Sequence, residues 1–148
     1  MPRVKLNIPS TFLYSFDLEI RVDDLNYGQH LGNEMILVYA QQTRIQWLQS
    51  LDYSELSIEG KSIIQGDASI VYLSEGHLND KLKISLFLGE IGNASFELYY
   101  SLQKQESKTL LAKAKTGIIF YDYVSKKTQE IPEKFRQKLL DAKAGLSN

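Results

Sequence analysis

The sequence predicts an α+β domain in which a curved antiparallel β-sheet wraps around one long central helix. Three observations predict it. The stretch 33–51 has helical character, and its first turns, Met35-Ile36-Leu37-Val38-Tyr39-Ala40, are apolar almost all round. The segments on either side alternate apolar and polar residues with the two-residue period of strands that bury one face. Short turn signals join the later segments at hairpin distances. A helix apolar on nearly every side must be covered on most of them. About five strands in a flat sheet leave too few residues for that, so strong curvature or a second copy has to complete the cover.

The elements follow in order. Phe16 to Asp23 reads as the first strand, with Phe16, Leu18, Ile20 and Val22 alternating against charged residues. A polar loop leads to the helix, about Asn33 to Leu51, whose later part is more amphipathic, with Ile45, Trp47 and Leu48 set against Gln42, Gln46 and Gln49. After a loop from Asp52 to Gly60, Ser62 to Leu73 is a long strand and Glu75 to Asp80 a bend. Lys81 to Glu90 places Leu82, Ile84, Leu86 and Leu88 on one face, Gly92-Asn93 turns the chain, and Ala94 to Gln103 places Phe96, Leu98, Tyr100 and Leu102 likewise. Gln105 to Lys108 turns again before a last strand, Leu110 to Tyr123. Pro132 suits the first turn of a closing helix, about 132–144. The whole chain, 1–148, is expected to form one domain with its core at about 12–125.

Composition narrows the function classes. The 148 residues carry 17 Lys and Arg against 18 Asp and Glu, interspersed, so charge supplies no case for nucleic acid or an anionic membrane as partner. The absence of cysteine excludes disulfides, thiolate catalysis and thiolate metal sites within the chain. No apolar run is long enough to span a bilayer and the first residues lack a signal-type apolar core, so a cytoplasmic location is expected. No Gly-rich nucleotide loop or serine-hydrolase elbow is present.

The chemistry concentrates in Asn26-Tyr27-Gly28-Gln29-His30-Leu31-Gly32-Asn33, a polar loop feeding the start of the apolar helix. Helix N-termini carry unpaired N–H groups and partial positive charge, which suits a developing oxyanion. His30 is one of two histidines in the chain, and Gly32 would let a ligand approach closely. Plainer readings stand beside these. His30 could hydrogen-bond a backbone carbonyl, Asn33 could be the helix N-cap, and Asn26 could be a turn residue. Asp23 and Asp24 read as solubilising or capping residues, and Arg44 as an anchor for loop or sheet. His77, in a turn with Glu75 and Asp80, matches no usual metal-ligand spacing.

Asp24-Leu25-Asn26-Tyr27-Gly28-Gln29-His30-Leu31-Gly32-Asn33, followed by Ala40-Gln41-Gln42-Thr43-Arg44-Ile45-Gln46-Trp47-Leu48, resembles the 4-hydroxybenzoyl-CoA thioesterase-like branch of the hotdog superfamily. Many of its members carry a D-x-D-x-x-G-H-x-x-N loop and then a helix closing on an A-R-x-x-W/F-L phrase. The resemblance covers roughly residues 12–135. It implies the hotdog fold, a dimer or tetramer with active sites between subunits, and acyl thioesters of coenzyme A or acyl carrier protein as substrates. It implies no metal or redox cofactor. No basic landing patch for an acidic carrier is evident, which favours acyl-CoA; a non-hydrolytic thioester binder is the third reading.

Two positions depart from the family loop. Asn26 stands where the second Asp, often the catalytic carboxylate, is usual, and Gln29 stands where Gly is usual. A carboxamide does not ionise and cannot serve as a base. Asp67, in Ile63-Ile64-Gln65-Gly66-Asp67-Ala68, is the expected replacement, reaching His30 or Asn26 from a second subunit; family members sharing this loop carry a similar carboxylate in an I-I-x-x-D-A phrase. Strand period puts Asp67 on one face with Gln65 and Ser69. A structural pairing of Asp67 with Arg44 or a backbone amide is the alternative. The expected mechanism sets the acyl carbonyl near Leu31, Gly32 and Asn33, with Asp67 or His30 activating water and Asn26 orienting it. Lys113 and Lys115 share one side of the last strand, away from Ala112, Ala114 and Thr116, either simply exposed or facing coenzyme A phosphates.

Overall fold

A computed structural model describes residues 4–146. The strands are β1 Thr11–Glu19, β2 Ser62–Tyr72, β3 Lys81–Ile91, β4 Ser95–Lys104, β5 Leu110–Asp122 and the short β6 Lys127–Thr128. The helices are α1 Met35–Ser50 and α2 Glu133–Lys143. The strands form one antiparallel sheet in the order β1-β3-β4-β5-β2, with β6 beside β5. The α+β architecture, a sheet curved around α1, is the expected one.

The period-2 pattern set the core correctly. Leu82, Ile84, Leu86 and Leu88 of β3, with Phe96, Leu98, Tyr100 and Leu102 of β4, are buried on the face that meets α1. At the closing end of α1, Phe135 of α2 meets Phe96 edge-on and Trp47 at a tilt, and its ring also meets Tyr53 and Phe120. Along α1, Ile36, Tyr39, Ala40, Thr43, Arg44, Trp47 and Leu48 are buried, while Val38 is 50% exposed. The sheet therefore covers most of this apolar helix and leaves one strip open.

Two differences from the expected elements matter. The first strand ends at Glu19, and Val22–Asp24 is a short 3-10 turn with Val22 72% exposed. The Asp24 carboxylate accepts the Arg21 N–H at 3.0 Å, and this local bond displaces the ladder the alternation predicts. In β2 a bulge falls between Gln65 and Asp67 at Gly66, where a Cβ would collide with Ile119 Cδ1. The extra residue breaks the two-residue period. Gln65 turns toward α1, whereas Asp67 turns to the opposite face.

Candidate functional site

The loop before α1 is built from its own polar groups. The Asn26 N–H donates to the His30 carbonyl at 2.9 Å, and the Gln29 N–H to the Asn26 carbonyl at 3.0 Å. Asn26 Oδ1 accepts the Gly28 N–H at 2.8 Å. Asn26 is thus the turn residue of its plainer reading. Gln29 has φ 65°, in the left-handed region, which explains why glycine is usual at this step. Asp24 fastens the loop to the helix: its carboxylate accepts the Tyr39 hydroxyl at 2.6 Å and its carbonyl the Gly32 N–H at 3.0 Å. Burial, then this bond, pushes the Tyr39 phenol far above its ordinary pKa and keeps it a donor.

The same bonds orient His30. With Asn26 Oδ1 committed to the Gly28 N–H, the amide Nδ2 faces His30 Nδ1, 3.5 Å away. An amide nitrogen only donates, so this long contact favours the tautomer with its proton on Nε2. In that form His30 offers a donor rather than a base.

His30, Leu31, Gly32, Asn33 and Ile36 form one wall of a cleft of about 280 Å³; the segment Tyr72 to Gly76 forms the other. The walls are tied by the Leu31 N–H to the Gly76 carbonyl at 2.8 Å and by the Tyr72 hydroxyl to the Asn33 carbonyl at 3.1 Å. The N–H groups of Leu31 and Gly32 are therefore engaged within the chain. The Asn33 N–H is the first backbone donor on this wall without a partner among the described residues. Helix α1 starts at Met35 with Glu34 at the capping position and no side chain on its first turn, so Asn33 contributes backbone here, not an N-cap.

Asn26, His30, Leu31, Gly32 and Asn33 come together as the sequence suggested; Asp67 does not join them within one chain. Its carboxylate accepts the Gly117 N–H at 2.9 Å and meets Lys115 Nζ at 3.1 Å in a separate cleft with Glu97. Burial lowers the Lys115 pKa, but the carboxylates of Asp67 and Glu97 outweigh it and raise it above the usual lysine value. Arg44, 4% exposed, pairs instead with Glu55 at 2.7 Å and donates to Gln65 at 3.3 Å and to the Tyr100 hydroxyl at 3.0 Å. Arg44 anchors helix, loop and sheet. Lys113 reaches the Leu6 carbonyl at 3.5 Å. Among the described residues, no group of three or more His, Cys, Asp or Glu could hold a metal ion. Sequence reasoning missed the second wall, reading 75–80 only as a bend; the Gly76 beside Glu75 was its one signal.

The family model described as the thioesterase-like superfamily matches residues 20–139. No curated protein matches the chain. Among solved structures, a thioesterase-superfamily protein from Jannaschia sp. CCS1 superposes with TM-score 0.80 at 13% identity, covering 95% of this chain and 89% of that one. A 1,4-dihydroxy-2-naphthoyl-CoA thioesterase from Synechocystis gives TM-score 0.79 at 20% identity, covering 86% and 96%. A hypothetical protein from Staphylococcus aureus in complex with CoA gives 0.76 at 15%, covering 97% and 87%. At these identities the likeness establishes the fold.

Proposed function

The chain belongs to the thioesterase-like superfamily, and from that premise we propose that it hydrolyses acyl-CoA thioesters to free acid and coenzyme A in the cleft between His30–Asn33 and Tyr72–Gly76. The observation that carries this reading is the pairing of one unengaged backbone donor, the Asn33 N–H, with the Nε2 side of His30 on the same wall. Both would donate to the thioester carbonyl oxygen as it gains charge. One well-placed donor of this kind contributes about 3–4 kcal/mol to a tetrahedral transition state. Gly32 gives the Glu34 side chain room to pack against the loop, and Asn26 acts by holding the imidazole.

A second copy would complete the site. The edge of β2 at 65–68 is exposed and unpaired on its outer side, and the Val38 strip of α1 lies open. Such an edge and strip fit a homodimer or homotetramer, across which Asp67 would reach the cleft of its neighbour. No helix among the described residues is long and apolar enough to cross a membrane; a cytoplasmic enzyme is our reading. Asn26 in place of the family carboxylate favours, as the second reading, a protein that binds acyl thioesters without cleaving them.

Thiol release from short, medium, long and aromatic acyl-CoAs, and from acyl carrier protein thioesters, tests this. Turnover on an acyl-CoA that falls at least tenfold in His30→Ala supports the reading. Binding of acyl-CoA with no turnover, and turnover gained in Asn26→Asp, would establish the binder instead.

A further inference from the structure

The loop carboxylate of the family is missing at Asn26, and Asp67 is engaged by Lys115 and the Gly117 N–H in another cleft. Among the residues lining the His30 cleft there is one carboxylate, Glu75, on the wall facing His30. Its backbone is fixed next to the site, because Gly76, the following residue, holds the Leu31 N–H at 2.8 Å. Its Oε2 lies 3.5 Å from His77 Nε2. The other ring nitrogen of His77 lies 3.9 Å from Asp80 Oδ2, while the His77 N–H donates to that same carboxylate at 2.9 Å. Lys104 closes the chain at 3.3 Å from Asp80. A carboxylate, a histidine and a second carboxylate thus lie next to one another at the mouth of the cleft, Glu75 and His77 both largely exposed.

We propose that Glu75 is the general base of this cleft and that His77 is its positioning residue; the inference rests on the hydrolytic reading above. Glu75 removes a proton from water as the water oxygen bonds to the thioester carbon, and the carbonyl π-electrons pass to oxygen. The Asn33 N–H and His30 Nε2–H receive that oxyanion. On collapse the C–S bond breaks, its electrons leave with the coenzyme A sulfur, and the proton held by Glu75 passes to that thiolate. Water and thioester become carboxylic acid and thiol, with Glu75 restored. The division of labour follows from the two histidines' partners. His30 faces an amide donor at Nδ1 and keeps its proton on Nε2, whereas His77 faces two carboxylates. The carboxylate lost from one wall of the cleft is supplied by the other, within one chain.

The test is thiol-release kinetics on the full chain for wild type, Glu75→Gln, Glu75→Ala and His77→Ala, with thermal melts on each. Loss of a general base costs about 100-fold or more in kcat, so Glu75→Gln should fall by that much with KM within about threefold. Added formate should restore at least tenfold of the turnover lost in Glu75→Ala, a response that a purely structural role would not give. His77→Ala should lower kcat about tenfold at unchanged KM. A wild type that hydrolyses acyl-CoA while Glu75→Gln loses less than tenfold overturns the inference and leaves the hydrolytic reading standing. A folded wild type that releases no thiol from any acyl-CoA overturns both.

Discussion

Substitution of Gly76 by alanine tests how the second wall holds the first. Gly76 is buried and its φ is not in the left-handed region, so alanine can adopt its backbone conformation. Through the unfolded chain alone the change would stabilise by about 0.4–1 kcal/mol. The folded state opposes this. A Cβ at 76 would lie 2.7 Å from Ile20 Cδ1, 2.8 Å from Leu111 Cδ2 and 3.2 Å from Leu31 Cβ. Ile20 and Leu111 are themselves buried, so their side-chain ends have little room to retreat, and the Leu31 Cβ is fixed by its backbone. Overpacking of this kind costs about 1–3 kcal/mol. The net is a loss of about 1–2 kcal/mol, or about 5 °C in Tm for a chain of this size. The wall displaced is the one whose carbonyl holds the Leu31 N–H, so kcat should fall with it, by at least tenfold. Differential scanning calorimetry and thiol release on the same preparation check both. A Tm equal to or above wild type, or full turnover with the lowered Tm, would refute the reasoning.

Other outcomes follow from named contacts. Phe135→Ala empties the junction of Trp47, Tyr53, Phe96 and Phe120 and should cost about 3–5 kcal/mol in urea unfolding, about a third to a half of the stability of an average domain. Tyr39→Phe removes the 2.6 Å bond to Asp24 and should cost about 1–2 kcal/mol while lowering kcat, since the loop that carries His30 hangs on it. Burial and the Glu59 carboxylate push the Tyr53 phenol up to about 12. The unfolded chain loses that proton near pH 10 while the folded one keeps it, so this contribution is complete below pH 10 and is lost as pH rises toward about 12. The stability difference between wild type and Tyr53→Phe, followed by chemical melts from pH 8 to 12, should shift against wild type across that window; a constant difference would contradict it.

The fold was legible because burial follows periodicity. Leu82 to Leu88 and Phe96 to Leu102 could be assigned to one face from alternation alone, since each lies in a regular ladder. Alternation failed at Asp67, where a glycine-centred bulge rotates the strand, and at Val22, where an aspartate captures a backbone N–H. One is an inserted residue and the other a local bond, and each outcompetes the pattern. The first wall of the site was readable because its residues are consecutive, 26–33. The second wall was not, because Tyr72 to Gly76 meets it only through the fold. Nor could the sequence show that the Leu31 and Gly32 N–H groups are engaged, which moves the expected oxyanion site on to Asn33.

The central claim is that a thioester carbonyl sits against the Asn33 N–H and His30. A crystal structure with a ketone analogue of acyl-CoA, a methylene replacing the thioester sulfur, tests it most directly. The account predicts the ketone oxygen within about 3 Å of the Asn33 nitrogen and His30 Nε2, between the two walls. An analogue seated elsewhere, as in the groove beside Phe12, Trp47 and Leu51, would contradict it.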